Sequence, residues 1–260
     1  MLPTKNDTLI ESMKAYFVQQ AVPTTSWGNA VSIHLLLPAL RAFWPMSSMD
    51  ETGWAYDISG QGHAVEYTGD SMYNVYGMAP YIDFSTDYLK RSVAAGDSLD
   101  ITGLETKIAV GLRGFTIGGW FWFDINTLQE GMIGRYSGTP SYIITHEGAV
   151  ANDPVRFTVY NGATTKSIDS AVISTGQWYH CVGRFIPSTS VDLYVNGVKT
   201  SNTTAIPASV NSSASPFNIG GFNNGGGMDG RASLCFVAAS ALPERIILAL
   251  YQHSRALFGV

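Results

Sequence analysis

The stretch VDLYVNGVKT, residues 191–200, constrains the fold more than any other part of the chain. Val191, Leu193 and Val195 alternate with Asp192, Tyr194 and Asn196, the period of two that puts successive side chains on opposite sides of a strand. Asn196–Gly197 then supplies two residues that tolerate positive φ, which a tight hairpin needs. The segment RFTVYNGATTKSI, 156–168, carries the same signal: Val155, Phe157 and Val159 alternate with Arg156, Thr158 and Tyr160 ahead of Asn161–Gly162. Both segments predict antiparallel hairpins with one face turned to a core.

FTIGGWFWFD, 115–124, is apolar on both faces, with Phe115, Ile117, Phe121 and Phe123 on one and Trp120 and Trp122 on the other. Such a strand is covered on both sides. Further strands are predicted at GQWYHCVGRF, YIDFS, MIGRY, SYIIT, FNIGGF and ASLCFVAAS, spaced by turn-rich segments as in a β-sandwich. The chain closes on ALPERIILALYQHSRALFGV, where Pro243 precedes an amphipathic helix carrying Ile246, Ile247, Leu250 and Tyr251. Residues 1–40 read as a separate N-terminal arm, and 41–260 as one domain. Thr8 and Glu11 have the spacing of a capping box, and Leu9, Met13 and Phe17 form an apolar stripe along the helix it starts. That stripe packs either on its own domain or on a neighbouring subunit, as an assembly arm.

Charged residues make up only 13% of the chain and the net charge is -5, with no run of Lys or Arg. This argues against electrostatic binding to nucleic acid or to an anionic membrane. The N-terminal sequence has no basic segment leading into an apolar one, so a signal peptide is not expected. Cys181 and Cys235 lie in apolar strand-like runs and read as buried free thiols, with a disulfide between neighbouring strands as the alternative. The histidines, His34, His63, His146, His180 and His253, lack metal-ligand spacing, and no nucleophile elbow or phosphate-binding loop is present. Asp124 ends a strand, Glu130 falls in the loop that follows it, and Glu147 and Asp153 fall in a loop-like region. A glycosidase needs two facing carboxylates, so only convergence of Glu147, Asp153 and Asp124 in a cleft supports one.

The ordered series DISGQG at 57–62, FTIGGW at 115–120, GQWYH at 176–180 and LYVNG at 193–197, with a last strand and a short helix, resembles the concanavalin A-like or laminin G-like jelly roll. The resemblance spans about residues 41 to 258, and within the family the chain is similar to stand-alone laminin G-like proteins of bacteriophage virions. It implies a mainly β, two-sheet jelly-roll sandwich with an N-terminal helical arm and a short C-terminal helix. Enzymes of this fold carry Glu-x-Asp-x-x-Glu on one strand, which this sequence lacks, so no catalytic residues are expected.

The resemblance also offers calcium as the one candidate cofactor, with Asp57, Ser59 and Asp229 as ligands. Family members usually carry an acid where this chain has Ser233, which removes a charge, and Asp57 capping a turn through its own backbone is the alternative. For glycan or partner contact the sequence offers Trp54, Tyr56, Tyr136, Phe222 and Asn223, with Gln61 and Asn224 as further polar groups. Packing of these aromatics on their own domain is the competing reading. The expected role is that of a non-enzymatic structural protein of a phage particle, capsid- or tail-associated, made in the host cytoplasm without a signal peptide. It would be homo-oligomeric and contact other virion proteins, with a host-glycan-binding attachment lectin as the alternative.

Overall fold

The structure, a computed structural model, describes residues 40–44, 46, 54–55, 57, 59, 61–68, 88–91, 99, 113–125, 128–148, 153–162, 164–212, 215–222 and 226–260. The arm residues Leu9, Met13 and Phe17, the expected strand YIDFS and His34 lie outside them. In chain order the strands are β1 (Leu40–Trp44), β2 (Trp54–Ala55), β3 (Val65–Thr68), β4 (Tyr88–Arg91), β5 (Phe115–Phe123), β6 (Gln129–Arg135), β7 (Tyr142–Glu147) and β8 (Pro154–Asn161). They continue with β9 (Thr164–Val172), β10 (Trp178–Ile186), β11 (Ser190–Val195), β12 (Val198–Asn202), β13 (Phe217–Ile219), β14 (Gly221–Phe222), β15 (Gly226–Gly227) and β16 (Gly230–Ala238). One helix, α1 (Glu244–Ser254), follows.

Among the described residues, six strands form one antiparallel sheet in the order β1-β16-β5-β10-β11-β12. Eight form the other, in the order β2-β3-β4-β13-β6-β7-β8-β9, and β14 pairs only with β15. The core lies between the two sheets. Phe115, Phe121 and Phe123 of β5 meet Tyr142, Ile144 and Phe157 of the facing sheet, all essentially out of solvent. Each such side chain contributes on the order of 2 kcal/mol by burial. Phe115 is the hub of this layer, with ring centroids 4.8 Å from Tyr142 and 5.5 Å from Phe185.

The six-stranded sheet is buried on its outer face as well, because α1 lies across it. Val182, Tyr194, Phe236 and Ala238 form a second apolar cluster with Leu242 and Ile247. Trp120 donates from Nε1 to Ser254 Oγ at 2.8 Å and stacks on Phe258 with centroids 4.3 Å apart, so the apolar second face of β5 has its cover. Asp192 is buried under this layer too. Its Oδ2 accepts from Arg184 Nε at 2.9 Å and Nη2 at 2.7 Å, while Arg184 Nη1 donates to the Leu242 carbonyl at 2.9 Å. Pro243 takes the N-cap position and Glu244 the first turn, where a carboxylate complements the helix dipole.

The two Asn-Gly steps fold differently. At the β11–β12 turn Asn196 has φ 48° and Gly197 φ 80°, the conformation expected of the pair, and Asn196 Oδ1 accepts the His180 N–H at 2.9 Å. At the β8–β9 hairpin Asn161 stays in the strand opposite Thr164, and Gly162, with φ 56°, is the first turn residue. The Asn161 amide is drawn instead to Ser209, donating to its carbonyl at 2.8 Å and its Oγ at 2.9 Å, which moves the turn one residue on.

Cys181 and Cys235 are free and buried. Cys181 pairs with Gly119 of β5, and Cys235 flanks Gly119 from β16 on the other side, so a whole strand separates the two thiols. Two strand spacings put their backbones roughly 10 Å apart, beyond disulfide reach. The disulfide alternative is thereby corrected. Among the described residues no helix is long and apolar enough to cross a membrane.

Candidate functional site

The outward face of the eight-stranded sheet carries the polar and aromatic groups that the core excludes. Register across the strands aligns them: Lys90, Asn218, Gly134, Ile143, Thr158 and Ser167 stand side by side, from β4 through β13, β6, β7 and β8 to β9. The neighbouring row holds Gly131, Thr145, Arg156 and Asp169. Because Ile144, Phe157 and Val159 point into the core, these alternate residues point away from it.

One end of this face is ionic. Glu147 Oε1 accepts from Gln129 Nε2 at 2.8 Å and Thr145 Oγ1 at 2.6 Å, and Oε2 accepts from Arg156 Nη1 at 3.0 Å. Arg156 also donates from Nε and Nη2 to the two oxygens of Asp169, at 2.6 and 2.8 Å. The Asp169 bond raises the guanidinium above its ordinary pKa, with Glu147 adding to the shift. The arginine is therefore a fixed strut rather than a titrating group.

The other end is aromatic. Tyr136 lies with its ring centroid 5.9 Å from Tyr160 and 5.2 Å from Phe222. Tyr136 is 41% exposed, and its partners are half-buried, so the cluster presents ring surface to solvent. Burial, together with the neighbouring Tyr136 and Glu147, pushes the Tyr160 phenol well above its usual pKa, which keeps it a neutral hydrogen-bonding hydroxyl. Glycines let Phe222 arrive there. A Cβ on Gly131 would come within 2.7 Å of the Gly221 backbone, so only glycine allows the chain leaving β13 to pass this close to β6. Gly220, at φ 79°, makes the bend. Between the two ends sits Asn218, 1% exposed, whose side-chain oxygen and nitrogen both lack a hydrogen-bond partner.

Of the residues expected from sequence to contact a glycan, the structure thus brings Tyr136 and Phe222 together. Trp54 begins β2 with its side chain outside the described residues, as are Tyr56, Asn223 and Asn224. Gln61 is exposed, and its backbone N–H donates to Ser59 Oγ at 3.2 Å. Tyr160, Arg156, Asp169 and Asn218 belong to the face although the sequence reading assigned them no role. The alternation of Arg156, Thr158 and Tyr160 gave their common side, but only the cross-strand register shows what they stand beside.

The candidate calcium ligands do not assemble. Asp57 Oδ1 accepts the N–H groups of Phe43 and Ser59 at 2.9 and 2.8 Å, and Oδ2 accepts Ser59 Oγ at 2.8 Å and His63 N–H at 2.9 Å. Burial alone would raise this carboxyl. The hydrogen bonds from His63, Phe43 and Ser59 outweigh it and hold the pKa at about 2. Asp57 caps its own loop and ties it to β1 at Phe43, which pairs with Phe236. Asp229 precedes Gly230 at the far end of β16, on the order of 20 Å along the strand. Among the described residues no group of three or more His, Cys, Asp or Glu side chains could hold a metal ion. Calcium does not fit this arrangement.

The other carboxylates also separate. Glu130 and Glu147 were read as loop residues, and both are in strands. Glu147 points outward to Arg156, whereas Glu130 points into the sandwich, where it is 1% exposed and bonded to His146. A bulge between Gly131 and Ile133 sets this direction. Asp124 accepts the Trp122 indole N–H at 2.9 Å on the six-stranded sheet, and Asp153 immediately precedes β8. Glu147, Asp153 and Asp124 therefore sit on separate elements, with Glu147 committed to Arg156.

Solved structures with a similar fold include binding domains of botulinum neurotoxins. The binding domain of botulinum neurotoxin DC, solved with rat synaptotagmin II, superimposes with a TM-score of 0.59 at 11% identity, covering 84% of this chain and 52% of that one. A structure described as showing that cell entry of botulinum neurotoxin type C depends on two ganglioside molecules gives 0.60 at 13% identity, over 85% and 53%. The binding domain of Paraclostridial Mosquitocidal Protein 1 gives 0.57 at 12% identity, over 84% and 52%. The chain thus spans about half the length of these structures, and at such identities the likeness concerns the fold alone. No curated protein sequence matches the chain. Residues 95–237, more than half of the chain, match the family model described as the concanavalin A-like lectin/glucanases superfamily, and the chain belongs to that superfamily.

Proposed function

We propose that this chain is a non-enzymatic binding domain that holds a glycan on the outward face of its eight-stranded sheet. The observation that carries the reading is the cluster of Tyr136, Tyr160 and Phe222, with the partly exposed Arg156 and Asp169 at the other end of the same face. Sugar rings offer apolar C–H faces to aromatic side chains and hydroxyls to polar ones, and this face supplies both. The carboxylates at the ionic end of this face, Glu147 and Asp169, are both committed to Arg156, which supports binding over hydrolysis. Among the toxin structures of similar fold, one is a binding domain in complex with rat synaptotagmin II and another concerns a toxin whose cell entry depends on two ganglioside molecules.

The test is binding of the full chain to an immobilised panel of oligosaccharides, repeated with Tyr136→Ala and Phe222→Ala. Wild-type binding that falls about tenfold or more in both variants, with their unfolding midpoints near wild type, supports the reading. Equal binding by all three proteins, or none by any, rejects it.

A role in a phage particle is the second reading, and the N-terminal sequence favours it. The stripe of Leu9, Met13 and Phe17 behind the Thr8–Glu11 capping box suits an arm that docks on a capsid or tail neighbour. The two readings combine in a virion-displayed attachment lectin working as a symmetric oligomer. A chain lacking residues 1–39, which leaves β1 whole, should fold and keep its binding while failing to join the particle. Incorporation of the truncated chain at wild-type stoichiometry would remove the arm's role.

A further inference from the structure

We propose that Asn218 reads the hydroxyl groups of the ligand, and that the ligand is a neutral pyranose carrying two adjacent hydroxyls. This rests on the glycan-binding reading of the same face.

Asn218 is central in the sheet, between Lys90 of β4 and Gly134 of β6. Its neighbours along the strand, Phe217 and Ile219, point into the core, so its own side chain points to the outward face. There its amide oxygen and nitrogen are both buried and both without a hydrogen-bond partner. This buried amide leaves its oxygen and its NH2 group unmet, which costs the fold stability that an apolar side chain of similar size would not. Other polar groups of this face are satisfied: Thr145 donates to Glu147, and Thr158 shares a hydrogen bond with Ser167. The exception is thus one side chain rather than a loosely packed face.

An amide is matched by a pair of vicinal hydroxyls, one donating to the side-chain oxygen and the other accepting from the NH2 group. Gly134, next to Asn218, has no side chain to occupy the space above β6. In the strand it lies between Gly131, which the Gly221 backbone crosses, and Tyr136, which Phe222 meets, so the amide lies beside the aromatic cluster. The sugar's C–H face then rests on Tyr136 and Tyr160.

Charge selects the class. Across the face Glu66 stands opposite Lys90, and Arg156 is held between Glu147 and Asp169, so among the described residues the acids outnumber the bases by one. Three of the Arg156 donors are already committed to carboxylates, leaving no free bidentate fork for a ligand's acidic group. An anionic sugar gains nothing here, while a neutral one needs only the aromatic cluster and the amide.

The experiment measures binding of the full chain to immobilised glucose-, galactose-, mannose- and N-acetylhexosamine-terminated oligosaccharides and to their sialylated counterparts. Wild type is compared with Asn218→Leu, Asn218→Asp and Tyr136→Ala, with an unfolding midpoint for each. The expected result is binding to a neutral probe that drops about tenfold or more in both Asn218 variants. The midpoint of Asn218→Leu should match or exceed wild type, since its side chain leaves no unmet polar atoms. Undiminished binding by both Asn218 variants, with loss in Tyr136→Ala, overturns the role of Asn218 and leaves the glycan face standing. Binding confined to sialylated probes overturns the neutral class. A lowered midpoint for Asn218→Leu would assign the amide to the fold, and Asn218→Asp, close to it in shape, then decides whether binding also depends on it. No binding of wild type to any probe rejects the face and this inference together.

Discussion

His146 Nδ1 stands 2.8 Å from Glu130 Oε2 between the two sheets, with both side chains 1% exposed and the His146 ring 4.4 Å from that of Phe123. The second Glu130 oxygen accepts the Asp229 N–H at 2.9 Å, so the pair also fixes the approach to β16. Replacing Glu130 alone leaves the buried His146 Nδ1 and Asp229 N–H without their partner, and Glu130→Ala should cost about 1–3 kcal/mol in urea unfolding. The double substitution Glu130→Leu with His146→Leu should cost clearly less than the sum of the two single ones. Strict additivity would show that the two side chains do not interact.

His180 is fully buried beside Trp120 and Tyr251, and desolvation lowers its pKa to about 3. The unfolded chain, with an ordinary imidazole near 6.5, binds a proton in a range where the native state does not. Stability associated with this group is therefore complete above about pH 6.5 and is lost as pH falls toward 3, at about 1.4 kcal/mol per pH unit. Urea titrations at pH 7, 6, 5 and 4 should show wild type losing stability more steeply than His180→Leu. Parallel curves would mean that the site accepts a proton in the folded state.

Asp57 responds in a lower window. Its folded pKa of about 2 lies below the unfolded value of 3.8, so the unfolded chain takes up the proton first as the solution is acidified. The carboxylate contributes about 2 kcal/mol above pH 5, and this is lost between about pH 4 and pH 2. Asp57→Asn should thus be less stable than wild type at pH 7, and the two should converge by pH 2. A gap that persists at pH 2 would place the effect in packing instead of ionisation.

Burial also pushes both cysteine thiols well above their usual pKa. Thiolate is the reactive form, so neither Cys181 nor Cys235 should be alkylated by iodoacetamide in the native protein at pH 8, and both should be in guanidinium. Mass spectrometry of the labelled chain checks this. Rapid labelling of one cysteine in native conditions would locate a local opening of the six-stranded sheet around Gly119.

Much of the architecture was legible in the residues. The alternation at 155–160 and 191–196 fixed which side chains enter the core, because a strand offers only two faces. The two apolar faces of 115–123 announced a layer on each side, which the facing sheet and α1 provide. Local chemistry also wrote Asn196–Gly197 into a turn. Where a side chain from elsewhere in the chain competed, local chemistry lost, as Ser209 shows by holding Asn161 in its strand.

The site belongs to the tertiary structure. Tyr136 follows β6, Tyr160 ends in β8 and Phe222 sits in β14, and nothing in their spacing places the three rings in contact. Their meeting depends on the strand order β13-β6-β7-β8, which is decided by which long-range pairings bury the most apolar surface. The same pairing turns Glu130 inward through a one-residue bulge while leaving Glu147 outside, a difference that residue type cannot carry. Sequence determined the strands and their faces because those follow from a period of two. Only the fold decided the neighbours, because register and sheet order are properties of the whole chain.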